Sequence, residues 1–189
     1  ATVHTESTTL LAQTCVEHGE RAYVGRVAMD HPEGTPEWYR DATAQQGIEA
    51  SQRSIEEIGA LAGNGGLVSA IVTPRFIPAC SDELLRGLGE LATRTETLVQ
   101  THCSESHWEH GYVLERYGRS DTEMLKHFGL LKQGTVLAHG VHIGDSDYGL
   151  IKEAHAGVAH CPMSNSYFAN GVFPARRVLG MGVHVGLGT

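Results

Sequence analysis

The chain of 189 residues is 41% hydrophobic and 19% charged, the balance of an ordinary globular protein long enough for one sizeable core. Its net charge of -8 comes without any lysine or arginine run, which excludes an electrostatic footprint for nucleic acid or an anionic membrane and leaves a small molecule as the expected partner. Cys15, Cys80, Cys103 and Cys161 form no C-x-x-C pair, and no apolar run approaches the roughly 20 residues of a membrane span, so a reducing, cytoplasmic setting is expected.

Short apolar runs alternate with longer segments of helical spacing. In chain order, the runs that predict strands are Thr2–Thr5, Arg21–Ala28, Leu67–Thr73, Thr97–His102, Thr135–His139, Gly157–Cys161 and Val183–Leu187. They are near-continuous rather than alternating, as parallel strands buried on both faces are. Between them, helices are expected over Ser7–His18, within Glu37–Leu61 with Ile48, Ile55, Ile58 and Leu61 on one face, and over Asp82–Thr93 with Ser81 as N-cap. Further helices are expected over Glu105–Tyr117, Asp121–Phe128, Asp145–His155 and Pro174–Leu179.

A repeated βα pattern means a parallel α/β sheet. No G-x-G-x-x-G follows an early strand, and polar residues lie just beyond the ends of several different strands: Arg75, His102, Glu105, His139, and Ser164 with Asn165. A barrel gathers such positions at one mouth, whereas an open sheet concentrates them at a switch point. The expected fold is therefore a (β/α)8 TIM barrel short of its first strand, with the chain cut at both ends.

The chemistry-bearing stretch is VQTHCSE, in which His102 ends a strand and Glu105 follows three residues later. An imidazole there can bind a metal while the carboxyl shuttles protons; equally, His102 can be a satisfied core histidine and Glu105 a helix N-terminal acid. His107 and His110 lack the spacing of a zinc signature and read as a solvated helix face. His139, at the end of TVLAH, would face the same mouth as His102, and His160 reads as structural. Ser164 and Asn165, in a loop after Pro162, could bind a ligand or cap a helix. Arg75 and Phe76, in VTPRFIP, suit a flat carbonyl-bearing heterocycle, with the alternative of a surface arginine on a stiff loop.

Taken in order, VHTES, RAYVGRVAMD, IVTPRF, THCSE, LAHG, AHCPMSN and VGLGT resemble the successive strand-end motifs of the amidohydrolase superfamily, most closely of its guanine deaminases, over essentially the whole chain. The resemblance implies one zinc ion and hydrolysis of guanine to xanthine and ammonia, in a homodimer when complete. It implies His102 as a zinc ligand, Glu105 as proton shuttle, His139 as the group orienting the attacking water, and Arg75 with Phe76 as the guanine-binding pair. The superfamily's H-x-H pair and zinc-binding aspartate have no counterpart here, so the 189 residues alone are expected to be inactive. Two alternatives stand beside this reading: a related hydrolase acting on a triazine or pterin, and a purine-binding module without catalysis.

Overall fold

The computed structural model describes residues 2–188, which form two compact units. The first holds residues up to Arg75 together with Ala79–Leu98; the second holds Phe76–Pro78 and residues from Val99 onward. No helix among the described residues is long and apolar enough to cross a membrane.

In the first unit, helix α1 (Thr5–Glu17) leads to strands β1 (Ala22–Val24) and β2 (Val27–Ala28), then helix α2 (Ala44–Gly59), strand β3 (Val68–Pro74) and helix α3 (Asp82–Arg94). Both short strands pair in parallel with β3, Ala22 opposite Val68 and Val27 opposite Thr73. The expected continuous strand Arg21–Ala28 is thus broken at Gly25 and Arg26. A Cβ on Gly25 would lie 2.0 Å from Thr73 Oγ1 and 2.4 Å from the Ile71 carbonyl oxygen, so only glycine allows this approach to β3.

The expected strand Thr2–Thr5 is not formed. Thr2 makes one isolated parallel bridge to Arg26, and the chain turns helical at Thr5, with Thr8 Oγ1 donating to the His4 carbonyl at 2.8 Å. The run ends in a helix start, with Glu6 in the first turn, where an acidic side chain is favoured by the helix dipole.

Helix α2 begins seven residues later than Glu37, capped by Thr43, whose hydroxyl accepts from the Gln46 N–H at 3.1 Å. Its buried face is also smaller than expected: Ala44, Gly47, Ala50, Ser51, Ser54 and Ile58 are buried, while Ile48 and Ile55 are half-buried at its flank. Small residues let α2 and α3 approach closely; a Cβ on Gly87 would stand 2.2 Å from Ile48 Cδ1. Leu84, Leu85, Leu88 and Leu91 of α3 are wholly buried, and Ser81 caps that helix as expected. Beside them, Arg26 and Asp41 form a buried bidentate ion pair, in which Asp41 Oδ2 also accepts from the Met29 N–H at 3.2 Å.

In the second unit, strand β4 (Leu98–Cys103), helices α4 (His107–Tyr117) and α5 (Asp121–His127), strand β5 (Val136–His139), helix α6 (Asp145–Glu153) and strand β6 (Gly157–His160) precede helices α7 (Pro162–Phe168) and α8 (Ala175–Gly180) and strand β7 (His184–Leu187). Strands β4 to β7 are parallel in sequence order, with Cys103 opposite His139 and Ala138 opposite Ala159. Val99, Val113, Leu130, Leu137, Ile151 and Val178 are fully buried and supply the core. Pro162 does not open a loop, as expected, but starts α7, because proline at the first helical position has neither an N–H to lose nor a φ to adjust.

Candidate functional site

A cavity of about 600 Å³ opens in the second unit, within the range of small-molecule pockets. His102, Glu105, His139, Ser164, Phe76 and Trp108 line it. Of the five residues to which the resemblance gives a role, four meet here, from four places in the chain: the segment before Ala79, the ends of β4 and β5, and the turn after β4. The fifth, Arg75, belongs to the first unit, where its N–H donates to the Ala28 carbonyl at 3.0 Å and Nη1 lies 3.6 Å from Met29 Sδ.

His102 and His139 arrive side by side because β4 and β5 are parallel neighbours in register. Their rings stack with centroids 5.2 Å apart and planes 17° apart, and Phe76 meets His102 edge-on at 6.4 Å. Phe76 also faces Trp108 at 6.2 Å, so the wall is aromatic on one side and polar on the other. Trp108 carries no marker in the sequence beyond its place in the first turn of α4.

His139 Nδ1 lies 2.8 Å from Asn165 Oδ1 and 3.5 Å from Glu105 Oε1. Both neighbours on that side are acceptors, so Nδ1 carries the proton and donates to Asn165. The other end of the amide, Nδ2, donates to His160 Nδ1 at 3.4 Å. Ser164 Oγ donates to Glu105 Oε1 at 3.3 Å. Asn165 is 1% exposed and caps no helix, since Cys161 holds the N-cap position of α7. Its work is to orient His139, a role whose only trace in sequence was the S-N pair after a strand.

The backbone is strained where the site is built. His139 sits at φ 76°, with the Gly140 N–H 3.2 Å from the Ala138 carbonyl, a three-residue turn that places its ring at the mouth. Ser104 sits at φ 50°. Left-handed non-glycine residues cost on the order of 1–3 kcal/mol each and persist only where surrounding contacts hold them. Here they do: Gly140 N–H also donates to the Cys103 carbonyl at 3.0 Å, and the His142 N–H donates to the Ser104 carbonyl at 3.0 Å.

On α4, where a solvated face is expected, His107 is exposed but His110 is half-buried and Glu109, which also lines the cavity, is buried. Glu109 is 2% exposed, and His110 Nδ1 lies 3.2 Å from Oδ2 of the buried Asp121. Burial and then the Asp121 charge push the Glu109 carboxyl up to about 8. The hydrogen bond to Asp121 holds His110 above the usual histidine range, and burial lowers His142, whose ring lies 3.9 Å from that of His107. The S-x-x-E spacing of Ser106 and Glu109 was the signal that could have marked Glu109 as a helix-start residue. No group of three or more His, Cys, Asp or Glu that could hold a metal ion is found among the described residues.

The model of the amidohydrolase family matches residues 1–189. The chain belongs to the amidohydrolase family and has its fold, part of a (β/α)8 barrel. Its relatives include guanine deaminases: the protein of Dictyostelium discoideum is 39% identical over all of this chain and 41% of its own length, and a probable guanine deaminase of Schizosaccharomyces pombe is 37% identical over all of this chain and 36% of its own. The crystal structure of guanine deaminase from C. acetobutylicum with bound guanine superposes with a TM-score of 0.91 and 32% identity, covering 100% of this chain and 44% of that one. The chain thus spans about two fifths of the length of the curated relatives it matches. An adenosine deaminase structure from Xanthomonas campestris with bound zinc, at 22% identity and a TM-score of 0.83, shares the fold.

Proposed function

We propose that the complete protein hydrolyses guanine to xanthine and ammonia, and that the 189 residues carry its proton-transfer and ring-binding half. The observation that supports this best is the convergence of Glu105, His139 and His102 on one cavity with an aromatic wall, in a chain similar over its full length to guanine deaminases. Phe76 would stack on the purine and Arg75, its chain neighbour, would donate to the purine oxygen.

In this reading water adds at C2 of guanine. Glu105 takes a proton from that water and passes it to N3, then takes the remaining proton of the added hydroxyl and delivers it to the departing amino group, so that the C–N bond breaks, ammonia leaves and a C2 carbonyl remains. Ser164 donates to the Glu105 carboxyl and holds it for both transfers, with His139 Nδ1 3.5 Å from it. His139, with its Nδ1 proton engaged by Asn165, turns a bare Nε2 towards the reacting water, which it orients by accepting a hydrogen bond. An imidazole at a strand end in a partly polar cavity is a donor that zinc accepts, so His102 fits one coordination position. Zinc, when bound, supplies the positive charge that makes water a nucleophile at neutral pH. The other ligands would come from outside the described residues, among which no complete set exists. A homodimer in the cytoplasm belongs to the same proposal.

The test is conversion of guanine to xanthine by the complete gene product, purified with zinc, beside a Glu105→Gln variant. Turnover that falls by at least 1,000-fold in the variant, with zinc content unchanged, is the expected result. A folded, zinc-loaded protein that leaves guanine untouched refutes the guanine assignment and moves the substrate to another aminated heterocycle or the protein to a binding role.

A further inference from the structure

Glu109 occupies the third position of α4, where an acidic side chain ordinarily turns back to the N–H of the capping residue. That residue, Ser106, does its part: its hydroxyl accepts from the Glu109 N–H at 3.2 Å. The Glu109 carboxyl, however, reaches past Ser106. Oε2 accepts from the Glu105 N–H at 2.9 Å, and Oε1 accepts from the Ser104 N–H at 3.2 Å. One buried side chain thereby spans the whole connection from β4 to α4 and satisfies both of its buried donors.

That connection is unusual in needing such support. Ser104 is left-handed, and Glu105 follows it directly, so any relaxation of Ser104 towards ordinary backbone swings Glu105 away from its partners. From the β5 side the turn is pinned through carbonyls: Cys103 O accepts from Gly140 N–H, and Ser104 O accepts from His142 N–H. From the α4 side Glu109 pins it through two N–H groups, those of Ser104 and Glu105. A side chain placed only to cap the helix would leave these two donors to water or to other groups.

We propose that Glu109 is a positioning residue for Glu105: its buried carboxyl clamps the Ser104 and Glu105 N–H groups and so fixes the Glu105 carboxyl against Ser164 and His139. The kinetic form of this proposal rests on the deaminase reading above; the geometric form does not. Either protonation state of Glu109 keeps a lone pair on each oxygen, so the clamp works in both. Glutamine, nearly the same shape, keeps one acceptor and turns an NH2 towards the second backbone N–H, which releases one end of the turn.

The experiment compares the unaltered complete protein with Glu109→Gln and Glu109→Asp, each assayed well below its own melting temperature and normalised to zinc content. A kcat for guanine lowered 10-fold to 100-fold is expected in both, with KM and the inhibition constant of xanthine within threefold of the unaltered values. A merely structural role predicts a lower melting temperature with kcat per folded site unchanged, and that result overturns the proposal, as does a parallel loss of xanthine binding. If the unaltered protein does not turn over guanine, the deaminase reading falls and the crystal structure of Glu109→Gln decides this one. Displacement of the Glu105 carboxyl from His139 and Ser164 supports it, and an unmoved Glu105 overturns it. Should Glu109→Gln fail to fold, Glu109→Asp, which keeps both acceptors but is one methylene too short to reach both donors, carries the same readouts.

Discussion

Replacing Asp41 by alanine removes, in one step, every partner that holds the buried Arg26 guanidinium from the carboxylate side. The structure sets the size of the effect. Two Arg26 nitrogens donate to Asp41, the Met29 N–H donates to it as well, and both side chains are under 10% exposed. Stranding a buried charge by removing its partner costs about 3–5 kcal/mol, a large share of the roughly 5–15 kcal/mol that keeps a domain folded. Replacing both partners, Arg26→Met with Asp41→Leu, removes the stranded charge; the Met29 N–H is left unsatisfied, for about 1–3 kcal/mol, and the part-buried Val3 carbonyl loses its Arg26 Nε donor. The double variant should therefore be more stable than Asp41→Ala. Denaturant unfolding of the unaltered protein, Asp41→Ala, the two single variants Arg26→Met and Asp41→Leu, and the double variant, with the m-value unchanged, measures this directly. A loss under 1 kcal/mol for Asp41→Ala, or a double variant whose loss is the sum of the two single losses, would refute the account of this pair as a mutually dependent buried unit.

Two further outcomes are expected. Asn165→Ala frees the Nδ1 side of His139 and leaves it buried; losing that bond costs about 1–3 kcal/mol of correct orientation, hence a kcat for guanine lower by about 5-fold to 160-fold, and a kcat within twofold of the unaltered protein would exclude the orienting role. Folded Glu109 binds its proton more tightly than the unfolded chain does, about 8 against 4.5, so its contribution to stability is fully present below pH 4.5 and is lost as pH rises through 8. His110, raised above its ordinary 6.5, acts in the same direction. Unfolding midpoints at pH 5.5 and 8.5 should therefore fall more in the unaltered protein than in Glu109→Gln, and equal falls would contradict the assignment.

The frame of the molecule was legible because its strands are long apolar runs separated by helices with ordinary caps; Ser81 and the Leu84–Leu88–Leu91 face needed nothing beyond local rules. What escaped was decided by neighbours distant in sequence. Gly25 looks like one residue of a strand until β3 packs so close that a Cβ there would stand 2.4 Å from the Ile71 carbonyl oxygen. Pro162 reads equally well as a turn or as a helix start, and only the docking of Asn165 beneath His139 selects the helix. The strand ends carrying His102 and His139 were visible as sites because polar residues there have few structural duties. Glu109 was hidden for the opposite reason: it lies in a run of histidines and acids that has the composition of a surface, and its burial comes from the packing of α4, which composition does not record.

An amide has one accepting end and one donating end, and Asn165 spends each on a different imidazole. His139 and His160 are therefore obliged to be opposite tautomers, His139 protonated on Nδ1 and His160 on Nε2. In nitrogen-15 spectra of the neutral protein the two rings should give mirror-image patterns, with the bare nitrogen of His139 at Nε2 and that of His160 at Nδ1. The site thus carries its own internal reference: a single side chain writes two complementary resonance signatures, and a flip of Asn165 would exchange them together.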